Sequence, residues 1–412
     1  MVAKKRKGRS GAAVLAALIC LALSVLLAFI GVGLKYDRLE REAQNTESTH
    51  RINAFYYNHL TYKQQLLYDS ILTGVEKRAE ITEMLPYVYS NADFALVADY
   101  IRADHPELFY LDLGGMQMLS ATHATRVELS YLYDIETTAR MQNEISAAIL
   151  RLTADIDPVD PANGGEFEAE RLIHDRFVHS CTYASGDESG RSTVYSALVL
   201  GSADAYGYAG AMKLLLEEYD IYSILVFGET AEGDHVWNIV YADGKFYHLD
   251  ALWNDADLDF AEDIVFHGYF NLSSEAISKD HTMRDGDIMP EAVDNGDYYL
   301  SRGLFIHNTM ELDRIAYREI LGAGYTGSEF IELYPDFDID TGEFRDCIIG
   351  VIGRINGVQD DFIFKEIYRV YEAAEGSGAV TIQLYYDKKI EASTAAPEED
   401  AIEADAEEKM TD

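Results

Sequence analysis

The chain is poor in cysteine, tryptophan and positive charge. Three cysteines in 412 residues are too few for a disulfide framework. Cys20 lies in an apolar run away from the others. Cys181 and Cys347 can pair, but nothing in the sequence requires it. Lys and Arg number 33 against 72 Asp and Glu, a net charge of −39. That excludes nucleic acid as a partner class, because phosphates need cationic partners. It suits a surface exposed to water and cations. HExxH, paired CxxC, a phosphate loop and a dinucleotide fingerprint are all missing, so neither metal nor cofactor is expected. His174 and His179 have a poor metal spacing on a helix. The acidic clusters have no calcium-loop signature and read as solvated surface. There is no internal repeat. The only tryptophans, Trp237 and Trp253, fall in one short stretch.

What is present divides the chain into segments. Residues 1–11 form a basic tail with Lys4, Lys5, Arg6, Lys7 and Arg9. Ala12–Leu34 (12–34) carries no charge and is long enough for one membrane-spanning helix, which needs ~20 residues. The basic cluster should stay cytoplasmic, placing the rest outside as a single-pass protein of the cell membrane. A cleaved signal peptide fits less well: the run is long and no small-x-small site precedes Lys35. Residues 35–50 are polar and suit a short membrane-proximal linker or a helix extension. Residues 51–156 read as an N-terminal α+β unit, 157–290 as a second domain, 295–390 as a small α+β unit. Residues 391–412 read as an acidic, disordered tail.

Within these units, periodicity predicts the elements. Leu60, Gln64, Leu67, Ile71 and Val75 share a helix face. A second helix, capped by Asn91 or Asp93, should end at His105-Pro106. Leu108–Leu111 is expected as a strand paired with the alternating Val127, Leu129, Tyr131 and Tyr133. Ala139–Leu152 and Phe167–Cys181 are expected helices, separated by a Pro/Asp/Gly linker at 155–165. Ser273 or Ser274 can cap a short helix. Further on, helices are expected at Leu312–Leu321 and Glu343–Ile355. Glu329–Leu333 reads as a strand, and Phe362–Tyr371 with Val380–Tyr386 as a strand pair turning at 375–378.

The chemistry concentrates between Tyr195 and Asp255. Asp243-Gly244 is a strong two-residue hairpin signal. Pairing outward from it sets Trp237 opposite Asp250 and His235 diagonal to Asp250 on the same face. A base and its orienting acid are thereby placed together. A helix starts after Gly201-Ser202-Ala203-Asp204, and Ala205 stands in its first turn. A thiol there would be favoured as a thiolate by the aligned peptide dipoles. Alanine has no lone pair and cannot attack a carbonyl. Gly207 and Gly210 allow close backbone approach. Tyr206, Gly207, Trp237 and Trp253 are the candidate ligand-contacting residues.

These motifs resemble the transglutaminase-like superfamily in the form found in bacterial surface proteins. The resemblance is carried by Ala205-Tyr206-Gly207-Tyr208-Ala209, Gly233-Asp234-His235-Val236-Trp237-Asn238 and Tyr247-His248-Leu249-Asp250-Ala251-Leu252-Trp253-Asn254-Asp255. Ile173-His174-Asp175, Tyr269-Phe270, Ser278-Lys279-Asp280-His281 and His105-Pro106-Glu107-Leu108-Phe109-Tyr110 fit as well. It implies an α+β class with a papain-like core and Cys-His-Asp chemistry on amides. His235 matches the base and Asp250 the acid, while Ala205 occupies the nucleophile position. The expectation is a pseudoenzyme that binds a peptide or cell-envelope polymer. The alternatives are an active acyl-transfer or peptidase-type enzyme using another nucleophile or a His-activated water, and a structural spacer or assembly platform.

Overall fold

The structure is a computed structural model describing residues 9–156, 165–184, 192–255, 265–294, 298–337, 339, 342–358, 363–372 and 379–386. Most of the 155–165 linker, the 375–378 turn, the 391–412 tail and the basic residues before Arg9 lie outside the described residues. The chain divides into two compact units, Met1–Arg140 and Met141–Asp412.

The first unit opens with helix α1 (Arg9–Asn45), one helix long and apolar enough to cross a membrane. Leu15, Leu18, Leu26 and Phe29 are exposed along it. Helix α2 (Tyr62–Glu76) buries Leu67, Ile71 and Val75 as the period requires. Gln64 is instead drawn into a capping box with Thr61. Helix α3 (Asn91–Asp104) is capped by Ser90, with Asp93 as the third residue of its box. The cap is therefore one residue before the expected Asn91, because the Ser90 hydroxyl takes the Asp93 N–H at 3.0 Å. Buried Asp104 ties this helix to the chain before α2, accepting from Tyr56 N at 3.0 Å, Tyr57 N at 2.9 Å and Tyr68 O–H at 3.0 Å.

The expected strand at Leu108–Leu111 shrinks to a single antiparallel bridge, Leu111 with Tyr131, beside Leu132 N to Tyr110 O at 2.9 Å. The segment closes into turns, Leu108 N to His105 O at 3.1 Å and Leu111 N to Leu108 O at 2.8 Å. The hairpin forms instead from β1 (Gln117–Ala121) and β2 (Ala124–Glu128). Helix α4 (Ile135–Leu152) begins four residues before the expected Ala139, since Asp134 Oδ1 accepts from Thr137 N at 2.7 Å and starts the turn there.

The second unit carries helix α5 (Gly165–Val178), the short parallel pair β3 (Thr182–Tyr183) and β4 (Ser202–Ala203), and helix α6 (Ala205–Glu217). Strands β5 (Tyr222–Thr230), β6 (Gly233–Ala242) and β7 (Lys245–Leu249) follow. Helix α7 (Ser274–Ile277), capped by Ser273, leads to β8 (Thr282–Met283). The four strands make an antiparallel sheet in the order β7-β6-β5-β8. Helix α6 is buried from Tyr206 to Lys213 and packs on β5 and β6. Asn238 of β6 pins it by donating to Ala209 O at 3.0 Å.

Helix α8 (Tyr298–Ser301), β9 (Phe305–Ile306), α9 (Thr309–Thr326), β10 (Phe330–Pro335), α10 (Gly342–Val358), β11 (Phe364–Glu372) and β12 (Val380–Tyr386) complete the chain. Their sheet runs β11-β12-β10-β9. The periodic readings at 312–321, 329–333, 343–355 and 380–386 fall on α9, β10, α10 and β12.

Candidate functional site

The β6–β7 hairpin turns at Asp243 and Gly244, with φ of 48° and 84°. Both are left-handed, as a tight primed turn demands. Ala242 then faces Lys245, and the ladder runs up to Asn238 opposite Leu249. One step further lie Trp237 and Asp250, the register read from the sequence. His235 Nε2 meets Asp250 Oδ2 at 2.5 Å. Both are buried, at 6% and 1% exposure. The other carboxylate oxygen accepts from Leu252 N at 3.0 Å and Trp253 N at 3.1 Å. Burial alone would raise the Asp250 pKa. The His235 and His281 imidazoles overcome that and hold it well below the usual carboxylate range.

Ala205 is the first residue of α6, after its cap Asp204, whose Oδ1 accepts from Gly207 N at 3.0 Å. Ser192 bonds the other Asp204 oxygen. Ala205 is half-buried and packs against the cluster of Tyr206, Ala209, Leu225 and Val236, the residue after His235. The helix start and the histidine strand thus share one apolar seam.

The four candidate contact residues differ in access. Trp237 is 1% exposed, and its indole N–H goes to His248 Nδ1 at 3.0 Å. It is a core residue beneath the site rather than a ligand surface. Gly228, across the sheet from His235, makes room for its ring: a Cβ there would lie 2.7 Å from the indole. Gly207 is buried, and Tyr206 is 9% exposed. Trp253 keeps partial exposure, with its ring centroid 5.7 Å from that of His235.

Sequence reasoning did not assign a role to His281, Asp280, Tyr269 or His248. His281 Nε2 lies 3.0 Å from Asp250 Oδ2, and its Nδ1 2.6 Å from Asp280 Oδ1. Tyr269 O–H donates to Asp280 Oδ2 at 2.5 Å. His248 accepts from Trp237 at Nδ1, so its neutral ring donates from Nε2 to Ser274 Oγ at 3.1 Å. Burial, then the neighbouring His281, lowers the His248 pKa to about 4. The Ser278–His281 motif was visible in the sequence. Its approach to Asp250 depends on how α7 folds back, which no local pattern states.

A second buried polar cluster lies behind the first. Asn254 Oδ1 accepts from Tyr269 N at 2.8 Å, so its amide nitrogen donates to His174 Nε2 at 3.1 Å. His174 must then donate from Nδ1 to Asp175 Oδ1 at 2.9 Å. The same oxygen takes His267 Nε2 at 2.9 Å, while His267 Nδ1 reaches Glu332 Oε2 at 2.7 Å. Burial alone would lower the His267 pKa, but Glu332 and Asp175 raise it to about 9. Its ring stacks on Tyr298 at 3.9 Å.

Two groups among the described residues bring metal-type ligand atoms within 4.8 Å of one another: His235, Asp250 and His281; His174, Asp175 and His267. In each, the contacts described above are hydrogen bonds. Ligands about 2.0–2.1 Å from one tetrahedral ion stand roughly 3.3 Å apart. The 2.5 Å His235–Asp250 contact is closer and is a charge-assisted hydrogen bond. In the second group the Asn254 amide fixes His174 with its proton on Nδ1, the nitrogen that faces Asp175.

Comparison with protein-family models finds no match, and comparison with curated proteins finds none. Among solved structures, a transglutaminase is similar over 34% of this chain and 45% of its own, with 12% identity and a TM-score of 0.24. A putative cysteine protease from Cytophaga hutchinsonii is similar over 33% of this chain and 61% of its own, with 11% identity and a TM-score of 0.23. This chain therefore spans less than two thirds of either. Likeness at that level assigns neither activity nor residue roles.

Proposed function

We propose that this is a membrane-anchored, extracytoplasmic protein with a transglutaminase-like domain that has lost its nucleophile. On this reading it binds a peptide or cell-envelope polymer without cleaving it. The observation that carries the proposal is the juxtaposition at α6. A buried base–acid pair at 2.5 Å is kept, while the helix start packed beside its strand presents only the Ala205 methyl. Covalent catalysis needs a lone pair at that point, and a methyl has none. The basic residues before α1 support an orientation with the N-terminus in the cytoplasm.

An enzymatic reading with another thiol finds little support. Burial pushes Cys181 up to about 12, and burial with Asp313 nearby pushes Cys347 up to about 11. Both are poor thiolates at neutral pH.

The test is Ala205→Cys in the full chain in detergent. The new thiol should be alkylated by iodoacetamide at least about tenfold faster than an ordinary thiol near pH 6, and His235→Ala should abolish the gain. The natural chain should bind glutamine-containing or cell-wall peptides without turning them over. A sluggish introduced thiol, or turnover by the natural chain that vanishes in His235→Ala, would overturn the proposal.

A further inference from the structure

We propose that the tip of the β1–β2 hairpin, Ala121 to Ala124, lies in the phospholipid headgroup layer of the bilayer that α1 crosses, and that the polar end of α1 is a strut holding it there. This rests on the membrane anchor of the proposed function and not on the His235 site.

The strut is read from burial. Helix α1 runs unbroken from the apolar span to Asn45. Between Lys35 and Asn45 only Tyr36, Leu39, Glu40 and Ala43 are buried or half-buried. Steps of three and four residues put them on one helix face. That face is docked along its length. The Tyr36 ring stacks on the His123 imidazole, with centroids 4.7 Å apart and planes within 5°. Glu40 pairs with Lys63 of α2, whose ammonium also donates to Val88 O at 2.7 Å. Ala43 is 4% exposed. The opposite face carries Arg38 and Glu42, an exposed pair at 2.7 Å. From Tyr36 to Ala43 the helix therefore has no undocked turn that could act as a hinge.

The depth follows from the helix rise. The uncharged run 12–34 is about 34 Å long at ~1.5 Å per residue, enough for a hydrocarbon core of ~30 Å. Leu34 then stands at the edge of that core, and Tyr36 about 3 Å beyond it. The headgroup layer adds about 5–7 Å on each side, so Tyr36 lies within it, where tyrosine is favoured. His123, in ring contact with Tyr36, shares that depth. It is a turn residue: Ala121 pairs with Ala124 across Thr122 and His123. The hairpin reaches the membrane by its tip, with Thr122 exposed.

Composition suits the place. The chain has 72 Asp and Glu, yet residues 113–127 carry none, and Arg126 is their one full charge. Phosphates repel carboxylates and attract arginine. Leu119 is 44% exposed and stands directly across from exposed Arg126. An apolar side chain beside a cation fits the boundary between acyl chains and phosphate.

The experiment is spin labelling of the full chain in phosphatidylcholine nanodiscs. Cys20→Ala and Cys347→Ser remove the accessible thiols, while Cys181 is buried and stays. Nitroxides are placed on Lys35→Cys, on Thr122→Cys and on Gln44→Cys, the last about 15 Å beyond Leu34 along the helix. Collision with oxygen relative to a water-soluble nickel chelate reads the depth of each. The ratio at Thr122 should match that at Lys35 and exceed that at Gln44 by at least about twofold. Ala43→Glu forces a carboxylate into the docked face. It should bring the Thr122 ratio down to the Gln44 value and leave Lys35 unchanged. If Ala43→Glu does not fold, Tyr36→Ala serves in its place. A Thr122 ratio equal to that at Gln44, with Lys35 reading the headgroup layer, would overturn the proposal and leave the anchor intact. A Lys35 ratio equal to that at Gln44 would overturn both. A Thr122 ratio unmoved by the undocking variant would overturn the strut.

Discussion

Glu170 stands in the interior of α5 and, among the described residues, forms no ion pair; the adjacent Arg171 pairs with Glu168 and Asp175. Asn271 Nδ2 donates to its Oε2 at 2.8 Å, while Oε1 and Asn271 Oδ1 have no hydrogen-bond partner among the described residues. Burial raises its pKa to about 8, and Asp243 and Glu166 add to the rise. The folded state therefore holds a proton that an unfolded glutamate, near ~4.3, releases. The associated stability is full below about pH 4.3 and is lost as pH rises to about 8. Glu170→Gln should remove that penalty, stabilising the chain by as much as about 3 kcal/mol at pH 7 and little at pH 4. Urea unfolding at the two pH values measures it. An equal gain at both would mean the carboxyl is already ionised in the fold. Nothing in the pattern of α5 marked Glu170 as special, because burial of a polar residue is set by what packs over it.

At the scale of elements, the β6–β7 turn does two jobs. Its Asp-Gly pair sets the register that brings His235 to Asp250, and this was readable because turn type and strand period are local. The same Asp243 also caps α5, accepting from Glu166 N at 3.1 Å and Phe167 N at 3.3 Å. Glu166 returns a carboxylate oxygen to Asp243 N at 2.7 Å. Gly165 is needed there, since a Cβ would lie 2.5 Å from Asp243 Oδ1. Asp243→Ala should cost about 1–2 kcal/mol, and Asp243→Asn well under that, in thermal unfolding. Equal losses in both would place the effect in the carboxylate charge rather than in the cap or the turn, since asparagine serves both. Local signals failed at Leu108–Leu111 for a related reason. An apolar run fits strand or turn; the hydrogen bonds after His105 chose turns and left only the Leu111–Tyr131 bridge of the expected pairing.

At the scale of the whole molecule, His267 joins Asp175 of α5 to Glu332 of β10 inside the second unit. Its pKa of about 9 lies above the ~6.5 of an unfolded chain. The stability it contributes is full below about pH 6.5 and is lost as pH rises through about 9, roughly 3 kcal/mol in all. His267→Gln should flatten the fall of stability between pH 7 and 9, read by the unfolding midpoint. An unchanged slope would show that the ring is neutral in the fold. α1 meanwhile supplies a helix of membrane-crossing length, a property of composition alone.

The sequence by itself determined the apolar span, the periodic helices of both units, strands of the second unit, the hairpin register and the methyl at position 205. All of these depend on neighbours within a few residues, where turn chemistry and side-chain period act directly. Only the tertiary structure decided that Asp250 is shared by two histidines, that Trp237 lies beneath them out of a ligand's reach, and that Asp243 caps a helix. Each of these joins residues distant in the chain, and their protonation and hydrogen bonding follow from burial beside one another.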